Sequence, residues 1–165
     1  MLTEIKTERL LLRRPREEDR QALVALQHNP RTNTFNAVKP TPEKAAADVE
    51  RWFQHWSEHG FGYFAVSEIG SDEIAGIAGV RHHEFEDEQM LNLAYRFQPS
   101  TWGNGYTTEA AAAAVEWAER ELPELPVLIS VNVTNLPSLK VAERLGFTGY
   151  TESRYENALV RNYRR

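Results

Sequence analysis

Gly103 and Gly105 flank Asn104, lead into Tyr106, Thr107 and Thr108, and stand directly before a helix-forming run from Glu109 to Arg120. Glycine reaches backbone angles closed to other residues and lets a ligand approach the main chain closely. A helix start adds unpaired N–H groups and roughly half a positive charge. The combination can hold a phosphate without any basic side chain. Taken alone, such a pair is more often a plain strand-to-helix turn. No Lys-Ser/Thr follows the glycines, so this is not a P-loop, and the third glycine of a dinucleotide fingerprint is missing.

Other residues carry weaker signals. His55 and His59 lie four apart on an expected helix, which is metal-ligand spacing, but that segment offers no third ligand and no metal is expected. His82 and His83 are adjacent and would point apart in a strand. Trp52, Phe53 and Trp56 keep helical spacing and read as core. The stretch "HHEFEDEQ", residues 82–89, reads as a polar, acidic loop.

These groups need elements to position them. Glu8–Arg14 reads as a first strand, and Pro15 opens a helix with Glu17, Glu18 and Asp19 in its first turn. Thr41 caps a second helix that stops near Gly60. Gly62–Glu68, Glu73–Val80 and Met90–Phe97 read as strands. After the alanine helix come a buried strand, Val127–Val133, and a helix capped by Asn135 and ended by Gly146. Two closing strands, "FTGYTES" and "ENALVRNYR", complete the chain. The order predicts an α/β (α+β) fold whose sheet is mixed in direction rather than doubly wound.

The bulk properties narrow the classes. The 165 residues are 41% hydrophobic and 26% charged, with no repeat or linker, and are expected to form one domain over 1–165. There is no cysteine, which fits a reducing cytosol, and no apolar stretch has membrane-spanning length. The opening "MLTEIKTERL" lacks the apolar core of a signal peptide, so a cytoplasmic location is expected. The net charge is −5 with no basic tract beyond "RNYRR", which disfavours a nucleic-acid partner.

Three stretches, in order, lift the glycine turn above a structural reading: "TERLLLRRPREED" (Thr7–Asp19), "LAYRFQPSTWGNGYTTEA" (Leu93–Ala110) and "NLPSLKVAERLGF" (Asn135–Phe147). Jointly they resemble the GNAT superfamily of N-acetyltransferases, in particular its RimJ/RimL-type branch. The resemblance implies a GNAT fold, with a mostly antiparallel twisted sheet of about six or seven strands and about four helices, splayed at a bulged central strand. It implies acetyl-CoA as co-substrate. The pantetheine arm would pair with Tyr95, Arg96 and Phe97, the pyrophosphate would sit on Gly103, Asn104, Gly105, Tyr106, Thr107 and Thr108, and Asn135 and Ser138 would lie near the pantetheine and sulfur. Thr107 brings a side chain where the family usually has a small residue. Phe35 and Trp56 would line the acceptor cleft, with Asn92 a third substrate-binding candidate.

The reaction implied is direct attack of a neutral amine on the thioester, with a backbone N–H holding the oxyanion and Ser138 as general acid. At pH 7.4 an α-amine of pKa ~8 is roughly a fifth neutral, whereas a lysine near ~10.4 is only ~0.1% neutral. A peptide N-terminus therefore asks less of a base than a lysine or polyamine does. Where the family often has a strand-borne glutamate this chain has Asn92, which cannot take a proton. His82, His83, Glu84 and Glu86 are the substitutes nearby, with His83 and Glu84 the base candidates. The acceptor expected is a small-molecule amine or a peptide N-terminus, and the protein a monomer or homodimer. A non-catalytic acyl-CoA sensor, favoured by Asn92, and an interaction module with a purely structural turn are the rival readings.

Overall fold

The computed structural model describes residues 4–36 and 38–165. Among the described residues eight strands form one sheet: β1 Glu4–Lys6, β2 Leu10–Arg13, β3 Tyr63–Glu68, β4 Gly76–Phe85, β5 Glu88–Phe97, β6 Val127–Asn132, β7 Tyr150–Tyr155 and β8 Ala158–Arg164. Their order is β1-β2-β3-β4-β5-β6-β8-β7. Four α-helices accompany them: α1 Arg20–His28, α2 Pro42–His59, α3 Tyr106–Glu121 and α4 Leu136–Arg144. Every neighbouring pair is antiparallel except β5–β6.

The mixed sheet and the helices follow the expected pattern, with three differences, one being that β5 carries no inserted residue where a bulge was expected. The single strand expected over Glu8–Arg14 is a pair, β1 and β2, and the sheet has eight strands rather than six or seven. Residues 82–89 are not a loop. β4 and β5 run on to a two-residue turn at Glu86 and Asp87, whose φ values of 50° and 62° match the right-handed twist of a hairpin. Glu-Asp carries none of the glycine or asparagine that usually marks such a turn, so the sequence read as solvated coil.

The parallel pair positions the site. β5 meets β6 only at Leu91–Val127 and Asn92–Leu128, and β6 spends its remaining length paired with β8. β5 nevertheless continues to Phe97, in unbroken register with β4 and without an inserted residue. The Leu91 amide donates to Pro126 O at 2.9 Å, on the β6 side. By the alternation of an antiparallel ladder, the Tyr95 amide addresses that same side, where β6 has parted.

The two faces of β5 are covered differently. α3 lays Ala110, Ala111, Ala114 and Ala118 on the face that carries Leu91, Leu93 and Phe97, all buried. Alanine brings the helix backbone close to the sheet at little cost in side-chain entropy. On the other face α1 and α2 pack Leu23, Leu26, Val49 and Trp52 against Tyr63, Ile77 and Ala94. Asn92 and Arg96 share the parity of Ala94 and so belong to this second face.

Candidate active site

The glycine turn is open and its amides are unspent. Gly103 and Gly105 have φ of 87° and 77°, and a Cβ built on Gly103 would meet nothing within 4 Å. Gly105 caps α3. None of the amides from Gly103 to Thr108 has an acceptor among the described residues, and the first bonded one is Glu109 N to Gly105 O at 3.2 Å. A row of free N–H groups on a helix start is an anion cradle. Thr107 contributes its amide to that row.

The cradle is tied down from a distance. Glu109 accepts from Thr7 Oγ1 at 2.5 Å, Arg9 N at 2.9 Å and Arg9 Nε at 2.7 Å, while Arg9 Nη1 donates to Asn104 O at 2.7 Å. Burial pulls the Glu109 carboxyl up, but the Thr7 and Arg9 bonds hold it below the usual carboxylate range. Glu109 thereby anchors the β1–β2 turn to the first turn of α3. Arg9 was not foreseen, because nothing local in the sequence links it to a turn about a hundred residues away.

Across the gap, Tyr95 and Ser138 come together. The Tyr95 hydroxyl lies 2.6 Å from Ser138 Oγ and 3.3 Å from Ser138 O. Burial pushes Tyr95 up to about 12, against the lowering effect of the Ser138 bond, so it stays protonated at neutral pH. Tyr95 was expected to contribute only its backbone. Asn135 caps α4, its Oδ1 accepting from Ser138 N at 3.1 Å. That bond orients the turn carrying Ser138 and leaves the Asn135 amide nitrogen for a ligand.

On the face of β5 covered by α1 and α2, Asn92 Nδ2 donates to Tyr63 Oη at 2.9 Å. Arg96 Nη1 donates to Thr32 O at 2.5 Å and Asn33 Oδ1 at 3.0 Å. Burial lowers the pKa of this guanidinium, which has only neutral oxygens as hydrogen-bond partners among the described residues. Phe35, exposed on the α1–α2 connection, accepts at its carbonyl from Asn132 Nδ2 at 3.0 Å, so this connection bridges β5 and β6 where they part.

Three expected residues lie elsewhere. Trp56 is 2% exposed, donates to Tyr63 O at 2.9 Å and packs edge-on against Phe64; it is core and offers no surface to an acceptor. His83 and Glu84 are exposed and pair with Met90 and Gln89, towards the hairpin end of β5 and away from its freed half. Strand rise puts His83 about 17 Å along the sheet from the Tyr95 pairing. A surface cavity of about 280 Å³ lined by Phe85, Met90, Tyr150 and Arg164 also sits at that hairpin end and does not include Tyr95 or Ser138.

Residues 9–148 match the family profile described as Acetyltransferase (GNAT) domain. The chain belongs to the GNAT acetyltransferases. This GNAT is 28% identical over 150 residues to the uncharacterized protein YkkB of Bacillus subtilis, covering 87% of this chain and 84% of that one. Its fold is similar to a GNAT-family acetyltransferase from Bordetella pertussis, with a TM-score of 0.82, 22% identity and 99% of both chains covered. It is also similar to RimL, a ribosomal L7/L12 alpha-N-protein acetyltransferase in complex with coenzyme A, at a TM-score of 0.76, 20% identity and 98% and 97% coverage. The free amides, the parted strands and the Tyr95–Ser138 pair all lie within the matched residues.

Proposed function

We propose that this GNAT transfers acetyl from acetyl-CoA to a primary amine, either a peptide N-terminus or a small-molecule amine, by direct attack within a ternary complex. The observation that carries the reading is the parting of β5 from β6 after Asn92, in line with the unspent amides of Gly103–Thr108. The freed backbone of Tyr95, Arg96 and Phe97 pairs with the pantetheine arm, and the cradle takes the pyrophosphate. RimL, solved with coenzyme A, has the same fold, which supports this choice of donor.

The amine nitrogen attacks the thioester carbon while a backbone N–H of the freed stretch holds the oxyanion. The C–S bond then breaks and the sulfur takes a proton. With Tyr95 donating to Ser138 Oγ, the Ser138 hydrogen is free to turn to the sulfur, and the pair relays rather than stores a proton. The nitrogen gives up its proton to water, since the strand that would carry a base has Asn92. This arrangement suits an acceptor with a substantial neutral fraction at pH 7.4, such as an α-amine.

Purified protein is assayed for thiol release from acetyl-CoA across a panel of amines that includes peptides with free N-termini, free amino acids and polyamines. Turnover is expected with α-amines above lysine-type amines at pH 7.4. A thermal shift with acetyl-CoA but no turnover on any amine would support the sensor reading, which Asn92 favours. No thermal shift at all would remove the donor assignment.

A further inference from the structure

Three imidazoles that acyl transfer does not use meet at the C-terminal end of α2. His55 and His59, one turn apart, face His82 of β4. Ring centroids stand 4.5 Å apart for His55–His59, 4.6 Å for His59–His82 and 5.5 Å for His55–His82. One ring nitrogen from each lies within 4.8 Å of the other two. Phe61 packs beneath, 5.0 Å from His55 and 5.1 Å from His82. The sequence offered only the α2 pair; the third ring arrives from a strand.

The histidines are not equivalent. His55 is buried, with Nδ1 2.8 Å from Phe61 O and Nε2 accepting from the His82 amide at 3.0 Å. The tautomer follows: Nδ1 carries the hydrogen and Nε2 the lone pair. β3 begins at Tyr63, opposite Gly79, so the His82 amide has no strand partner and His55 stands in for one. That accounts for His55. It does not account for His59 or His82, whose rings make no hydrogen bond to any described residue; Glu58 Oε2 stands 3.7 Å from His59 Nε2. Burial pushes His55 down to about 4 and also lowers His82.

We propose that His55, His59 and His82 form a site for a borderline divalent transition-metal cation such as Zn²⁺ or Ni²⁺, with water completing the shell. Imidazole donors suit these ions, whereas Mg²⁺ and Ca²⁺ need oxygen ligands. Metal–nitrogen bonds of about 2.0–2.1 Å in tetrahedral geometry place nitrogens about 3.4 Å apart, so the rings must draw in by roughly 1.4 Å. His59 is the last helical residue and its side chain is 39% exposed, so it can supply most of that movement. His55 exchanges its bond to the His82 amide for the metal and keeps the Phe61 carbonyl as its backing contact.

The site is remote from the thioester. Phe61 stacks on Trp117 with centroids 5.3 Å apart, and Trp117 lies roughly 17 Å along α3 from the cradle. The ion would therefore clamp α2 to β4 rather than take part in acyl transfer.

Untagged, chelator-treated full-length protein is titrated with Zn²⁺ and Ni²⁺ by calorimetry, and its thermal unfolding is followed with Mg²⁺ as control. One saturating equivalent is expected, with a rise in Tm that EDTA reverses and Mg²⁺ does not produce. His59→Ala and His82→Ala should each weaken binding at least about tenfold, while His83→Ala leaves it intact. The acetyl-CoA thermal shift checks that each variant is folded. Absence of saturable Zn²⁺ and Ni²⁺ binding to the wild-type protein overturns the site. So does binding that survives both His59→Ala and His82→Ala, or that depends on His83.

Discussion

Ser138 is held from three directions: by its own amide on Asn135, by the Tyr95 hydroxyl on its Oγ, and by the same hydroxyl near its carbonyl. A first-turn serine fixed in this way is better placed to relay a proton than one free to rotate. Ser138→Ala is expected to lower kcat about tenfold or more while leaving the KM for acetyl-CoA within roughly threefold. Tyr95→Phe keeps the ring and removes the hydroxyl, and should lower kcat in the same direction by a smaller factor. Steady-state kinetics on the preferred amine decides this, and an unchanged kcat in Ser138→Ala removes it as the proton donor. Ser138 was singled out in the sequence only through the resemblance of Asn135–Phe147 to the family's helix, since a serine three residues after a cap is ordinarily a local hydrogen-bonding residue. The Tyr95 hydroxyl was not, because its partner is 43 residues away and depends on how β5 and α4 are brought together.

At the scale of elements, the junction between β2 and α1 rests on one buried ion pair. Arg13 of β2 donates to both Asp19 oxygens at 2.6 and 2.9 Å, and the Arg16 amide donates to Asp19 Oδ2 at 2.7 Å. Burial raises the Asp19 pKa, but the Arg13 fork and the Arg16 amide outweigh it and leave the carboxyl below its ordinary value. A depressed carboxylate stabilises the fold at pH values above its unfolded pKa of about 3.9, and that contribution is lost as pH falls through the folded value. Asp19→Asn should therefore cost about 3 kcal/mol at pH 7. The difference from wild type should shrink as the pH falls below 4, as read from denaturant midpoints at both pH values. Helices α2 and α4 could be bounded from sequence because Thr41, Gly60, Asn135 and Gly146 are local signals. The β4–β5 hairpin could not, since positive φ at Glu86 and Asp87 is imposed by pairing between strands rather than by residue type.

For the whole molecule, the same local signals, in order, were enough to indicate a mixed sheet, and the resemblance carried jointly by three stretches was enough to indicate the donor. The side proposed for the acceptor was harder to read. It is assembled from the α1–α2 connection, Tyr63, Asn92 and Arg96, whose mutual contacts span up to 64 residues. Trp56 was misplaced there because a large aromatic at helical spacing looks alike whether it packs inward or lines a cleft. Arg96 belongs to both sides. Its backbone lies on the freed half of β5, while its side chain holds Thr32 and Asn33 of the acceptor loop. Under the proposed function, whatever settles that strand also settles that loop, and donor and acceptor then share one coupling free energy. Linkage then makes the effect reciprocal: the factor by which acetyl-CoA tightens the amine must equal the factor by which the amine tightens acetyl-CoA. Calorimetric titration of each ligand with and without a non-reactive partner should give the two factors as equal and above one, and Arg96→Met should bring both towards one together.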